Sequence, residues 1–496
     1  MDRTRYHHIL RSTVFSGGSQ VVSAVAALVR TKIAAVCVGV GGIGMLGLYT
    51  QAAHLISAIA EMGLTASAVR EVAVARGTRD TLRLAQVIRS LRMLVLATGV
   101  VAAAVCMLLA SWLSRLTFGD NSHQIGFLFV GGALFLNQLA AGQTALLRGL
   151  GHIRELALQR AMVAVVATVA AGCCYLIWGI NGIAPSLLVI GGVTLAGSWW
   201  YARRVNVEPV KLGWREVLAH ARRFLGMGLA FMWVSLASLG VAYLIGIMIR
   251  RELGVLGNGI YQAAWGISGY FVGFVLNAMG EDFYPRLTGV IQNHEEAGAL
   301  LNAQTEMGIL LGLPGMVATS ACATWAVSLM FSPEFSGAAG AVAWFNLGCF
   351  GRVVSWPFSF VLMARGDSFL YAGTVGLFAV VNLLFAWIGL RLHGVTGVAL
   401  GFAAMHVCNF FTLRVIIGRM LVFSYAPAVR RLILLGSGCL IVAPFIGPWC
   451  GMGLALTLGC LSLRSLASRL GPDHRLVGHA RKFPPVRWLI DVRLPT

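Results

Sequence analysis

Gly179-Ile180-Asn181-Gly182-Ile183-Ala184 and Gly394-Val395-Thr396-Gly397-Val398-Ala399, at an offset of 215, read as one motif written twice. The same offset sets Leu147-Arg148-Gly149-Leu150-Gly151-His152 on Leu362-Met363-Ala364-Arg365-Gly366-Asp367. Upstream, Gly47-Leu48-Tyr49 and the apolar run around it match Gly259-Ile260-Tyr261 at an offset of 212. One glycine-bounded match would carry little weight. Several in the same order indicate an internal duplication. Two similar bundles in a lipid-soluble chain are a common plan for a transporter, with substrate handled between the halves.

Composition fixes the solvent. Of 496 residues, 58% are hydrophobic and 11% charged, a balance that excludes a soluble domain and describes a polytopic membrane protein. Apolar runs of about 17–25 residues, each able to cross ~30 Å of hydrocarbon, recur along the chain. They fall near residues 12–37, 45–67, 93–115, 125–147, 157–178, 182–202, 224–249, 258–280, 304–331, 338–362, 370–390, 395–417, 430–447 and 449–464. Runs of this length are helices, because a barrel strand would be about half as long and alternating. The expected fold class is an all-α polytopic membrane protein with about 14 transmembrane helices. Two six-helix bundles, 1–202 and 224–418, are related by a parallel pseudo-twofold repeat, because six is even and both bundles enter from one side. Residues 203–223 form a basic cytoplasmic linker, 419–464 an extra helix pair and 465–496 a basic cytoplasmic tail.

The net charge of +20 would suit nucleic acid if it were gathered on one soluble face. It is instead dealt into short connections, as orientation signals are. Arg70, Arg76, Arg79, Arg83, Arg89 and Arg92 fill the second connection. Arg203, Arg204, Lys211, Arg215, Arg222 and Arg223 fill the sixth. Arg464, Arg469, Arg475, Arg481, Lys482, Arg487 and Arg493 fill the tail, and Arg3, Arg5 and Arg11 open the chain. The opposite connections are poor in Lys and Arg apart from Arg115, Arg250, Arg251 and Arg391. Both termini are therefore expected in the cytoplasm, and no nucleic-acid partner is expected. The ten cysteines sit singly or as Cys173-Cys174 inside apolar runs, without metal spacing, and read as small buried hydrophobes. Ala24-Val25-Ala26 loosely resembles a signal-peptidase site, but the repeat needs the first run as a span. No phosphate-binding loop or soluble catalytic core is present in the sequence. No cofactor or metal is expected, and energy would come from a proton or sodium gradient or from the substrate gradient.

Charge at membrane depth costs roughly 2.5–3.5 kcal/mol per residue on insertion scales, and it usually faces a cavity or a partner. Arg352 lies well inside the run 338–362, with Ser355 and Ser359 on the same helical face. It reads as a cationic contact for an anionic ligand, the alternative being a bracing pair with a neighbouring helix. Its counterpart in the first half is Asn137, beside Gln138 and followed by Gln143 and Thr144. Arg30 and Lys32 close the first run, and Arg250 with Arg251 holds the corresponding place in the second half. These oppose the orientation rule, which favours a ligand role, although snorkelling to the interface competes with it. Gln51, His54, Ser57 and Glu61 share one face of the second span. His54 and Glu61 are candidates for coupling to a proton or cation, against a plain interhelical hydrogen-bond pair. The partner span offers Gln262, Trp265, Ser268 and Asn277, while Glu281 and Asp282 read as interfacial.

Arg30-Thr31-Lys32-Ile33-Ala34-Ala35, a glycine-rich turn and Gly47-Leu48-Tyr49 resemble the opening of bacterial polysaccharide-lipid flippases of the Wzx type. Gly259-Ile260-Tyr261-Gln262-Ala263-Ala264-Trp265-Gly266-Ile267-Ser268, running on to Tyr284-Pro285-Arg286-Leu287, resembles the start of their second half. Arg352-Val353-Val354-Ser355-Trp356-Pro357, ending at Ala364-Arg365, fits the same pattern. The likeness covers about residues 10–420, and its architecture is shared by the wider multidrug/oligosaccharidyl-lipid/polysaccharide exporter superfamily. The terminal helix pair and long basic tail depart from the shorter members. The resemblance implies a carrier of undecaprenyl-diphosphate-linked oligosaccharide in the bacterial inner membrane, working beside a polysaccharide polymerase and a chain-length regulator. By position Arg30, Lys32, Arg250 and Arg352 would meet the diphosphate. Arginine forks match phosphate oxygens. Gln51, Gln262, Trp265 and Tyr49 offer hydrogen bonds and aromatic faces to a sugar.

Three other functions compete. A cation-coupled drug exporter of the same superfamily would favour acidic cavity residues, whereas the candidates here are mostly basic. A lipid II flippase shares fold and head group. A polysaccharide polymerase or ligase would need a large outer loop, and the longest one here, near 116–124, is short.

Overall fold

The computed structural model describes residues 3–61, 63–78, 80–205, 210, 212–421 and 423–470. Arg79, Lys211, Arg475, Arg481, Lys482, Arg487 and Arg493 lie outside the described residues, as do the side chains of Arg3, Arg5, Arg11, Arg215, Arg222, Arg223, Asn277, Glu281 and Asp282. Fourteen α-helices and no strand occur among the described residues. The first seven are α1 (Arg3–Glu61), α2 (Leu64–Gly77), α3 (Thr81–Leu108), α4 (Ala110–Phe118), α5 (Gln124–Gly149), α6 (Ile153–Trp178) and α7 (Ile183–Ala202). The rest are α8 (Trp214–Val290), α9 (His294–Ala321), α10 (Ala323–Met330), α11 (Ala339–Ala364), α12 (Ser368–Leu421), α13 (Pro427–Val442) and α14 (Pro448–Leu470).

Among the described residues, nine stretches are long and apolar enough to cross a membrane, or ten with the bent pair α9–α10 counted as one. Four of these, Gly18–Glu61, Ile153–Ala202, Met232–Gly269 and Phe369–Leu421, are about twice the ~20 residues a span needs. Each contains a positive-φ glycine: Gly39, Gly179, Gly254 and Gly394. Counting each as two brings ten to the fourteen expected from the sequence. The chain is an all-α, multi-pass membrane protein.

The repeat is written in the backbone. Gly39 (φ 65°, ψ −169°) and Gly254 (φ 70°, ψ −174°) share one conformation and stand 215 residues apart, so the offset of 215, and not the 212 read from Gly47-Leu48-Tyr49, holds upstream as well. Gly179 (φ 54°, ψ −131°) and Gly394 (φ 58°, ψ −139°) also share one conformation. Gly151 (φ 67°) and Gly366 (φ 80°) end α5 and α11 in one Schellman cap. In the first the His152 amide donates to the Leu147 carbonyl at 3.0 Å, and in the second Asp367 donates to Leu362 at 3.1 Å. A Cβ on Gly182 would strike the Cys174 carbonyl, and one on Gly397, its counterpart at the same offset, would strike the Gly389 carbonyl. The duplicated glycine motif is therefore a site where two helix backbones touch, which only glycine permits.

Contacts group the chain into two compact units, residues 1–259 with 330–332, and residues 260–329 with 333–496. The first unit takes in the start of α8, which the repeat counts with the second half. Close backbone packing explains this. Gly44 lies against the Val255 carbonyl, Gly259 against the Val40 carbonyl, and Asn258 Nδ2 donates to the Gly44 carbonyl at 2.7 Å. The expected linker 203–223 turns helical at Trp214. In this unit the arginine-rich second connection is helical and not a loop: Arg70 and Arg76 lie on a short helix, α2, and Arg83, Arg89 and Arg92 on the first part of α3. Leu64, Ala68, Val72 and Ala75 bury one face of α2 against Leu91, Val95 and Leu146. Arg76 donates to the Leu150 carbonyl at the end of α5. In the second unit α13 and α14 pack on α9, and Arg469 of α14 pairs with the nearly buried Glu306 of α9 at 2.6 Å.

Candidate functional site

The polar residues inside the spans separate into those with partners and those without. Lys32 and Arg250 have partners. Lys32 Nζ donates to the Phe331 carbonyl. Arg250 Nη1 donates to the Phe118 carbonyl at 3.0 Å, at the end of α4, and its charge acts on Asp120 in the turn that follows. This corner is tightly built. Tyr49 Oη lies 3.2 Å from His123 Nδ1, and its ring meets Phe118 and Phe127. The hydroxyls of Thr117 and Tyr243 are bonded beside it. The hydroxyl and amide of Ser122 hold the Asp120 carboxyl below the usual carboxylate range against a desolvation cost, and His123 and Arg250 add lesser attraction. Burial draws His123 below the usual histidine range, opposed by Asp120.

Arg30 and Lys32 do not correspond to Arg250 and Arg251. Counted back from the equivalent turns at Gly39 and Gly254, the first pair stands nine and seven residues away and the second four and three. Arg30 is thus about 14 Å along the helix from its turn, well inside the apolar stretch and not at its end. It is half-buried, and its charge acts on the Tyr175 hydroxyl, which accepts from Ser186 Oγ at 3.2 Å.

Arg352 has a different setting. It stands halfway along α11, exposed within its unit, and no carboxylate pairs with it among the described residues. Val353, Val354 and Ser355 beside it are buried. Asn137, its counterpart on α5, is exposed in the same way, while Gln138 turns inward and donates to Thr98 Oγ1 at 3.1 Å. Gln262 and Trp265 are half-buried in the same unit as Arg352. The Trp265 ring lies 5.4 Å from Phe345 and 5.2 Å from Phe402, and Gln262 Nε2 is buried without a partner among the described residues. In the first unit Gln51 Oε1 is likewise unpartnered. His54 is exposed and Glu61 half-buried, seven residues apart, so about 10 Å of helix separates them and they are not a bonded pair.

Two features went unread in the sequence. His406 of α12 is nearly buried against Gly351, one residue before Arg352, although a histidine within the apolar run 395–417 satisfies the criterion that singled out His54. A cavity of about 700 Å³ opens in the first unit between α1, α3, α4 and α8, walled by Leu55, Ile59, Val101, Trp112, Leu116 and Leu244. A smaller one, of about 470 Å³, carries Arg92, Gln143, Trp199 and Arg203. Among the described residues no group of His, Cys, Asp or Glu could hold a metal ion.

Residues 43–339 match the family model described as "Polysaccharide biosynthesis protein". The chain is 22% identical over 418 residues to the lipid III flippase of Escherichia coli (strain K12), covering 81% of this chain and 96% of that protein. Among solved structures it resembles the lipid II flippase MurJ in an inward closed conformation, with TM-score 0.65 and 11% identity over 91% of this chain and 97% of that one. It also resembles an inward-facing multidrug resistance MATE family transporter of the MOP superfamily, with TM-score 0.63 and 17% identity over 80% and 95% of the two chains. These similarities place the fold among transporters, and the chain is a transporter, not an enzyme. It belongs to the polysaccharide biosynthesis protein family.

Proposed function

We propose that the chain is a flippase of the Wzx type. It moves undecaprenyl-diphosphate-linked oligosaccharide repeat units across the bacterial inner membrane by alternating access, for surface polysaccharide or exopolysaccharide synthesis. The observation that carries this reading is Arg352: an exposed cation halfway along a spanning helix, with no carboxylate partner among the described residues. Such a charge is costly unless a ligand meets it, and a diphosphate offers oxygens to its guanidinium fork. The family match and the likeness to a lipid III flippase support the same substrate class.

In this reading Arg30 is a second cationic contact, and Trp265, Gln262 and Gln51 serve the sugar. The apolar cavity of the first unit suits an aliphatic chain. Both termini are cytoplasmic, as the distribution of arginine implies, and a polymerase and chain-length regulator receive the product. The predominance of basic over acidic residues within the spans weighs against a carrier of cationic drugs.

The test is a deletion strain complemented with wild type or Arg352→Ala. Loss of surface polysaccharide, accumulation of its lipid-linked unit inside, and rescue by wild type alone are expected. Unchanged polysaccharide with increased drug sensitivity would replace this reading with a drug exporter, and arrested peptidoglycan synthesis would replace it with a lipid II flippase.

A further inference from the structure

His406 belongs to none of the roles assigned above. It lies in the second part of α12 and is 7% exposed. Its Nδ1 is buried with no hydrogen-bond partner among the described residues. Its ring meets that of Phe402 edge-on at 4.5 Å, and Phe402 in turn meets Trp265. A Cβ placed on Gly351 would come 3.1 Å from the Cβ of His406, so α11 runs against the histidine one residue before Arg352.

Ionisable groups stand on the two helices packed near it, α11 and α8. Arg352 is the charged group that acts on His406 among the described residues. From the same helix, the Cys349 thiol donates to the Ser268 carbonyl at 3.8 Å. From α8, Tyr261 is buried against Phe345. Among the described residues no carboxylate pairs with Arg352.

A cation beside an imidazole opposes its protonation, and an anion seated on that cation reverses the local field. The anion also supplies an acceptor that a buried ring nitrogen lacks. We infer that His406 is a proton-binding site coupled to anion binding at Arg352. When a diphosphate settles on Arg352, His406 takes one proton from the aqueous phase. When the diphosphate leaves, the ring returns it. Anion and proton then cross together, so the proton offsets part of the charge carried outward, and an inward proton gradient opposes this step and does not drive it. This rests on the reading of Arg352 as the diphosphate contact, and it assigns coupling to His406 in place of His54 and Glu61.

The experiment is titration calorimetry on the purified full-length protein in detergent, with a short-chain prenyl-diphosphate N-acetylglucosamine as probe. This diphosphate diester keeps its own charge across the histidine range. Titrations at one pH in buffers of different ionisation enthalpy give the protons taken up per molecule bound. For wild type, uptake of a fraction up to one proton is expected, with affinity strengthening up to about tenfold per unit fall in pH. His406→Gln should bind the probe with uptake and pH dependence lost, and His406→Asn serves if the first variant does not fold. Wild-type binding without uptake, or undiminished uptake in the His406 variants, overturns the coupling and leaves the Arg352 contact standing. Wild-type failure to bind, or Arg352→Ala binding as tightly as wild type, overturns the Arg352 reading together with the coupling that rests on it.

Discussion

Arg250 and Arg352 look alike in sequence, each an arginine in an apolar run, yet the structure uses them oppositely. Arg250 closes a corner. It bonds the last carbonyl of α4 and acts on Asp120 in the turn that follows, while its Nε is buried with no partner among the described residues, so its head group is held within the protein. Arg352 stands exposed on α11 with buried residues beside it and no carboxylate partner among the described residues. The difference teaches that intramembrane charge is a functional signal only once its local partners are known.

The largest effect that would sharpen this contrast is at Arg352. Arg352→Ala should lower affinity for a prenyl-diphosphate probe by roughly ten- to a hundredfold, the worth of a charged hydrogen bond, with unchanged thermal stability. Unfolding in place of lost binding would make Arg352 a brace like Arg250. Arg352→Lys keeps the charge and loses the fork, so about half that loss in free energy is expected in the same titration. Arg250→Ala should do the reverse. Thermal unfolding in detergent should show a loss of about 1–2 kcal/mol, with probe affinity nearly unchanged. A large fall in affinity there would restore Arg250 as a ligand contact.

The smallest effect is on pH. Burial favours the neutral ring of His123, so its contribution to stability is full above the ordinary histidine range, near ~6.5, and is lost as pH falls toward the lowered folded value. Asp120 acts with the usual carboxylate sign: its contribution persists through this window and is lost only as pH falls through its depressed value. Wild type should therefore melt at a lower temperature at pH 5 than at pH 7.5, and His123→Gln should shrink the difference. Equal pH dependence in both would remove His123 from the account of this corner.

The fold was legible because hydropathy and glycine are both local signals. Spans of about the right length were visible in composition alone, and the repeat offset pointed to glycines that prove to hold matching positive-φ conformations. The short helices α2 and α4 were not visible. Arg70 and Arg76 made α2 look like a loop, although Leu64, Ala68, Val72 and Ala75 give it a buried stripe. At the site, Arg352 was legible as a charge out of place. Arg250 was singled out by the same sign, but its partners, Phe118 and Asp120, lie far back along the chain and leave no local trace. The assumed equivalence of Arg30 with Arg250 failed because it was counted from run ends, whereas the turns at Gly39 and Gly254 set the true register.

The paired glycine contacts bear on how such a molecule could move. At Gly182 on Cys174, and at Gly397 on Gly389, two helices touch backbone to backbone across a turn of a few residues. Phe385 and Gly401 continue the second contact one turn further along α12. These hairpins are welded at the tip. Their two arms cannot slide or splay there without separating carbonyl from glycine, so each must travel as one lever. Within its own unit, bending is left to helix stretches away from the tip.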